Sequence, residues 1–424
     1  MISRVITLTQ QLLFDIKLSG YWLSRGLITS VYFLFGILLR ESGYSNFEVI
    51  VAWMSVYISQ ATLLLALDYL NKKYSGRHQM IGTLVPGSIS IAGLAFMSFT
   101  TIDLLWFSAS AILMLPLLRE SIHTGTLYIR DQEHWSLGKN LASLYANEMG
   151  KGFGAFFIFA LGYLSNINGQ YVAVFILSLL IVSIFEYLIA RHRPDAPDFT
   201  GDVDIGPGGR GYVRISMLHN ACFFGVKAIL TLVVFDVLSA SRDINSVITT
   251  LATVVSIMMV VGLVVLQIFK DRFVQLLRKM YKTHFITQSI GLITLVVIAL
   301  TITTYLFAFG FLEATTTGYL LSIGIALLMA FGGLFSLGAL QYLDDVFWNP
   351  EDTRRDDKRK TTLHHAWVSS SFSPAILLGI YCVGTLLLST MINALLILTI
   401  ISVVEIIVTL YSYRLSLAHT RSIG

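Results

Sequence analysis

Hydrophobic residues along this chain fall into about a dozen long stretches separated by short polar gaps. A helix that crosses hydrocarbon needs about 20 apolar residues. Twelve segments reach that length, near 18–39, 47–69, 79–99, 102–129, 141–164, 171–190, 214–239, 246–268, 283–309, 314–343, 366–388 and 391–413. The pattern predicts an all-α membrane protein of 12 transmembrane helices.

Charge orders these segments. Twenty-three of the 29 Lys and Arg residues sit at the chain ends or in every second gap, and only Arg40 and Arg242 sit in the gaps between. Lys and Arg near span ends stay on the cytoplasmic side, so both termini are expected inside, in a plasma membrane such as the bacterial inner membrane. The composition agrees: 55% hydrophobic and 13% charged residues, with a mean hydropathy of +0.74, leave too little polar surface for a water-soluble body. Met1 to Lys17 reads as a weakly amphipathic lead into the first span rather than a cleavable signal. Cys222 and Cys382 both fall inside apolar spans as small core residues, so neither a disulfide framework nor a metal or other cofactor is expected. Cytoplasmic loops account for the slight positive charge without a nucleic-acid partner; the expected partners are the lipid bilayer, a small solute and protons.

The break from Arg191 to Arg214 holds two prolines and the run Gly206-Pro207-Gly208-Gly209-Arg210-Gly211, the composition of a flexible linker. It divides the chain into a six-helix bundle over 1–190, a cytoplasmic linker over 191–213 and a second six-helix bundle over 214–424. Both blocks place a basic loop after their second span, Asn71 to His78 and Lys270 to Lys282. Equal phase in the two halves suggests a parallel repeat around a central cavity.

With this 6+6 plan, its central linker and the loop carrying Asp68, Gly76 and Arg77, the chain resembles the major facilitator superfamily of secondary transporters. That resemblance implies two facing bundles and a gating role for the loop. Ser24-Arg25-Gly26, Arg130-Asp131-Gln132 and Leu144-Tyr145 followed by Gly152-Phe153-Gly154-Ala155-Phe156 are similar to the proton-coupled oligopeptide transporter branch. The positions of that branch's paired span-one glutamates are Tyr21 and Ser24 here, and its span-four lysine is Ile122.

Four basic residues lie within spans: Arg25, Arg119, Lys151 and Lys227. A charge at the bilayer centre costs about 2.5–3.5 kcal/mol or more, so each needs a cavity, a counter-ion or an interface. Lys227 lies about 20 Å from Arg214 along its helix; it contacts substrate, or it pairs with an acid such as Glu405 or Glu120. Asp236, nine residues on, falls on the opposite face. Arg119, Glu120 and His123 form one patch beyond Pro116, either a proton carrier built on Glu120 and His123 or an Arg–Glu pair near the span end. Arg25 either snorkels to the surface or faces substrate. Glu148 and Lys151 satisfy each other on span five, and Glu405 reads as a paired acid or an oligomer contact.

The resemblance places spans one, four, seven and ten around the cavity, where span ten offers Tyr319 and Ser322. Arg25, Arg119 and Lys227 against Glu120 make that site net positive. The expectation is a secondary active transporter, proton-coupled and working by alternating access, for a small anionic or zwitterionic solute such as a peptide or amino acid. A transport-inactive sensor or scaffold on the same fold is the alternative, supported by the missing span-one glutamates. Enzymatic activity is not expected, because His364-His365 has no convergent partner motif and no Walker-type phosphate loop occurs.

Overall fold

A computed structural model of the chain describes residues 44–71, 203–239, 282–347 and 353–423. They form six helices: α1 (Asn46–Asn71), α2 (Gly206–Ser239), α3 (Lys282–Ala308), α4 (Ala314–Val346), α5 (Arg355–Leu387) and α6 (Thr390–Ile423). Each contains one expected span; the other six expected spans lie outside the described residues. Among the described residues, Gly206–Ser239, Phe285–Ala308, Asp357–Leu387 and Thr390–Leu417 are long and apolar enough to cross a membrane, and α1 and α4 carry the shorter apolar stretches Asn46–Ile58 and Ala314–Met329. The chain divides into two compact units, and one of them comprises Gly43–Asp68, Phe199–Val247 and Val264–Gly424. All six helices belong to it, apart from the last three residues of α1.

Within this unit α2 packs against α4, α5 and α6, and α3 packs against α4 and α6. On α6 the residues Leu396, Ile400, Val403, Ile407 and Leu410 are exposed, while Ile397, Ile401, Glu405, Val408 and Ser412 face inward and are buried. The 3.6-residue period therefore separates an exposed stripe from a packed one. Between apolar helices in lipid the hydrophobic effect supplies no contrast, so close packing and interhelical hydrogen bonds hold them together. α3 and α6 are joined by a ladder of hydroxyl contacts: Thr287–Ser412 at 3.1 Å, Thr294–Thr409 at 3.0 Å, Thr301–Ser402 at 3.0 Å and Tyr305–Thr399 at 3.0 Å.

The structure corrects the reading of the glycine-rich run. The helix expected from 214 begins at Gly206, so the linker's last eight residues are its first two turns. Gly206 adopts φ +65°, its N–H is accepted by Asp204 at 3.0 Å, and Pro207 sits in the first turn, where an N–H has no helical acceptor. The following glycines admit neighbours: a Cβ on Gly208 would meet Val346, on Gly209 Thr362 and Phe347, and on Gly211 Leu415. His364 and His365, which precede the span expected from 366, are helical as well, because α5 starts at Arg355. Pro374 interrupts α5 and leaves the Ser370 carbonyl without its helical donor. Ser373 Oγ, 3.5 Å from that carbonyl, donates to Met217 O on α2 at 2.8 Å.

α3 ends in a Schellman turn, with Gly310 at φ +77°, Phe311 N donating to Leu306 O and Gly310 N to Phe307 O. α4 then runs antiparallel to α2. The Cβ positions of Gly318 and Gly332 point at Leu238 and Phe223, and that of Gly208 on α2 points at Val346, which fixes the register between the two helices.

Candidate functional site

The polar side chains of interest in this unit cluster along α2. Lys227 is half-buried in the middle of that apolar helix. Its Nζ lies 4.1 Å from the Phe223 ring centroid and 4.5 Å from that of Phe224. These rings precede it by four and three residues, the spacing that puts side chains on one helical face. An ammonium over two aromatic faces is held partly by their quadrupoles, a contact that strengthens as water is excluded. Tyr57 of α1 packs against Phe224 at 5.9 Å. At the far end of α2, Asp236 Oδ2 accepts a hydrogen bond from Asn46 Nδ2 of α1 at 2.7 Å.

Eight residues before Lys227 lies a fully buried pair. His219 Nδ1 stands 3.1 Å from each carboxylate oxygen of Glu405 on α6, with the aligned hydrogen bond running to Oε2. Both side chains have 0% exposure. Phe335 of α4 packs on the imidazole at 4.2 Å between centroids, and Phe223 at 5.8 Å. Among the described residues, His219 Nε2 and Glu405 Oε1 have no hydrogen-bond partner. One turn toward the Arg210 end, Ser216 Oγ contacts Ser370 Oγ at 3.0 Å, and Asn220 Nδ2 donates to Ser370 Oγ at 3.0 Å.

Glu405 was one of two acids considered as a counter-ion for Lys227; it is engaged by His219. His219 escaped the reading of the sequence for a geometric reason. With the span starting at 214, it sits only about 8 Å from the edge, whereas a helix starting at Gly206 puts it about 20 Å in. A histidine on a long apolar helix is the signal that would have found it, once the glycine run was taken as helical.

The other expected site residues are placed as follows. Ser322 on α4 is fully buried and donates to Gly318 O of its own helix at 2.7 Å, while Tyr319 is 37% exposed. In the α2–α4 register both lie nearer Asp236 than Lys227 does, Ser322 by about 9 Å along the axis. Asp68 is in the last turn of α1. Arg25, Arg119, Glu120, His123, Gly76 and Arg77 lie outside the described residues. No cluster of three or more His, Cys, Asp or Glu side chains able to hold a metal occurs among the described residues.

No protein-family model matches the sequence, and no curated protein matches it. Solved structures do. The transporter PepTSo, described as of the POT family, aligns with a TM-score of 0.62 at 12% identity, over 95% of this chain and 98% of that one. The nucleoside transporter NupG aligns with 0.59 at 13%, over 95% and 99%. A bacterial homologue of the iron transporter ferroportin, in an outward-facing state, aligns with 0.57 at 13%, over 95% and 98%. The chain thus has the helical fold shared by these solved transporter structures, and four of its described helices are long and apolar enough to cross a membrane.

Proposed function

We propose that this protein is a secondary active transporter that moves a small anionic or zwitterionic solute by alternating access, driven by protons. The observation that carries the reading is Lys227: a cation half-buried in the middle of an apolar helix, flanked by Phe223 and Phe224. Such a charge is expensive in hydrocarbon and marks substrate or ion pathways in membrane proteins. An ammonium beside aromatic rings suits a carboxylate on a ligand with some apolar surface.

In this reading Arg25 and Arg119 add positive charge from the first bundle, with Tyr319 and Ser322 lending hydroxyls from the second. Glu120 and His123 exchange the coupling proton, and the loop bearing Asp68, Gly76 and Arg77 gates the cytoplasmic side. Alternating access in this reading is a rocking of two helical bodies about the site, α1 moving with the later helices it packs against, with both termini cytoplasmic. The named cargoes of the aligned structures are a nucleoside, iron and, for the POT-family protein, none; peptides and amino acids are the first solutes to assay because of the motif resemblance.

The test is uptake into proteoliposomes with a panel of anionic and zwitterionic solutes, with and without an imposed pH gradient. Accumulation of at least one solute is expected, and Lys227→Ala should abolish it while leaving the amount of folded protein near wild type. Absence of both uptake and counterflow for the whole panel would favour the sensor or scaffold. Poor folding of Lys227→Ala, rescued by neutralising an acid, would make the lysine a structural counter-ion.

A further inference from the structure

We infer that His219 and Glu405 form a second proton-binding site, sealed inside the unit formed by α2, α4 and α6. This inference rests on the transport reading. Its observations are independent of Lys227: a carboxylate and an imidazole in contact at 3.1 Å, both fully enclosed, with one ring nitrogen left over.

The geometry defines where the proton goes. With Glu405 ionised, Nδ1–H donates to the carboxylate and the lone pair of Nε2 is free. A proton arriving at Nε2 forms an imidazolium, so the pair passes from one net negative charge to none. No other bond changes. The imidazolium would rest against the Phe335 ring at 4.2 Å and the Phe223 ring at 5.8 Å, which add a cation–π attraction that the neutral ring lacks.

A purely structural pair would be expected to employ both nitrogens. An unpartnered buried polar atom costs about 1–3 kcal/mol, and a buried ion pair is often no more stable than apolar residues of the same volume. A proton carrier, by contrast, needs a nitrogen with room for a proton and a counter-charge that remains in place.

Among the described residues, every helix packed near the pair contributes identifiable neighbours. On α2 the nearest ionisable groups are Cys222, within electrostatic reach of Glu405, and Lys227, two turns away. α5 brings the hydroxyls of Ser370 and Ser373 to the neighbouring turn, and α4 brings Phe335. Tyr342 of α4, with Tyr212 and Tyr411 near it, lies about two turns toward the Arg210 end. α1 contributes Tyr57, against Phe224. α3 supplies Thr294, whose hydroxyl lies 3.4 Å from the Glu405 carbonyl.

The experiment compares wild type with Glu405→Gln, His219→Gln and the double replacement His219→Phe/Glu405→Leu. Each is reconstituted and assayed for solute counterflow and for accumulation driven by a pH gradient. All three variants should retain counterflow and lose accumulation above equilibrium. The double variant, which removes both charged members of the pair, keeps the test valid should a single variant fold poorly. Accumulation that persists in the double variant, or that disappears only in Glu120→Gln, overturns the inference and leaves the transport reading standing. Loss of counterflow in a well-folded double variant also overturns it, by making the pair part of the solute path. Wild-type uptake indifferent to pH overturns proton coupling alone, and wild-type protein without any counterflow overturns the transport reading and this inference with it.

Discussion

Replacing one member of the His219–Glu405 pair should destabilise the protein far more than replacing both. In His219→Leu the Glu405 carboxylate, with 0% exposure, loses the group that holds it, and breaking a buried ion pair in this way costs about 3–5 kcal/mol. If the orphaned carboxyl takes up a proton, the cost falls to that of an unsatisfied neutral group, about 1–3 kcal/mol. Glu405→Leu leaves an imidazole that can stay neutral, so its cost should lie at the lower figure. His219→Leu/Glu405→Leu removes both polar groups at similar volume, beside Phe223 and Phe335, and should fall within about 1 kcal/mol of wild type. A denaturant titration of the four proteins in mixed micelles reads these differences directly. The cycle should close with a coupling energy of at least about 1 kcal/mol, above the 0.3–0.5 kcal/mol scatter of independent sites. A double variant as unstable as the sum of the two singles would refute the reasoning, since the residues would then contribute separately.

Three further outcomes follow from the packing and the charge pattern. Gly338→Ala should destabilise by about 1–3 kcal/mol, because its Cβ would stand 3.1 Å from the backbone Cα of Ile286 and 3.0 Å from Phe285 Cδ1, whereas Gly291→Ala, with only Thr409 Cγ2 at 3.8 Å, should be neutral or stabilising in the same titration. Thr294→Val should cost about 0.6 kcal/mol, the average for one interhelical hydrogen bond in a membrane, so a loss several times larger would mean that the α3–α6 hydroxyls act as one network. Single cysteines at Ser165 and Thr353 should label from outside and inside respectively with a membrane-impermeant thiol reagent, against a silent background because Cys222 and Cys382 are buried; the reverse pattern would invert the orientation expected from charge.

The elements that could be read from the sequence are those whose signal is local. Runs of apolar residues marked α1 to α6, and the shared face of Lys227, Phe223 and Phe224 follows from helical spacing alone. What misled was composition read without its packing. A Gly-Pro-Gly-Gly run reads as a linker, but between packed helices the same glycines admit Val346, Phe347 and Leu415. That error of one helix start moved His219 from mid-span to the span edge and hid the partner of Glu405. The pairing itself depends on how α6 rotates against α2, and 186 residues separate the two side chains. Packing of α1 with the later helices was likewise out of reach, since it depends on contacts such as Asn46 with Asp236 and Tyr57 with Phe224.

Lys227 and the buried pair are close enough to influence one another, and the sign of that influence bears on mechanism. Eight residues of helix separate them by about 12 Å, and the Phe223 ring touches both the ammonium and the imidazole. At an effective dielectric of about 20, two unit charges 12 Å apart interact by about 1.4 kcal/mol, a factor of about ten. An anionic solute docked on Lys227 would repel the pair only while the pair carries its negative charge. Protonation removes that repulsion, so the solute favours proton uptake about tenfold, and by reciprocity the proton favours solute binding by the same factor. Under the proposed roles, a positive site eight residues from a proton-binding pair on a single helix favours binding both together, a bias that suits symport over exchange.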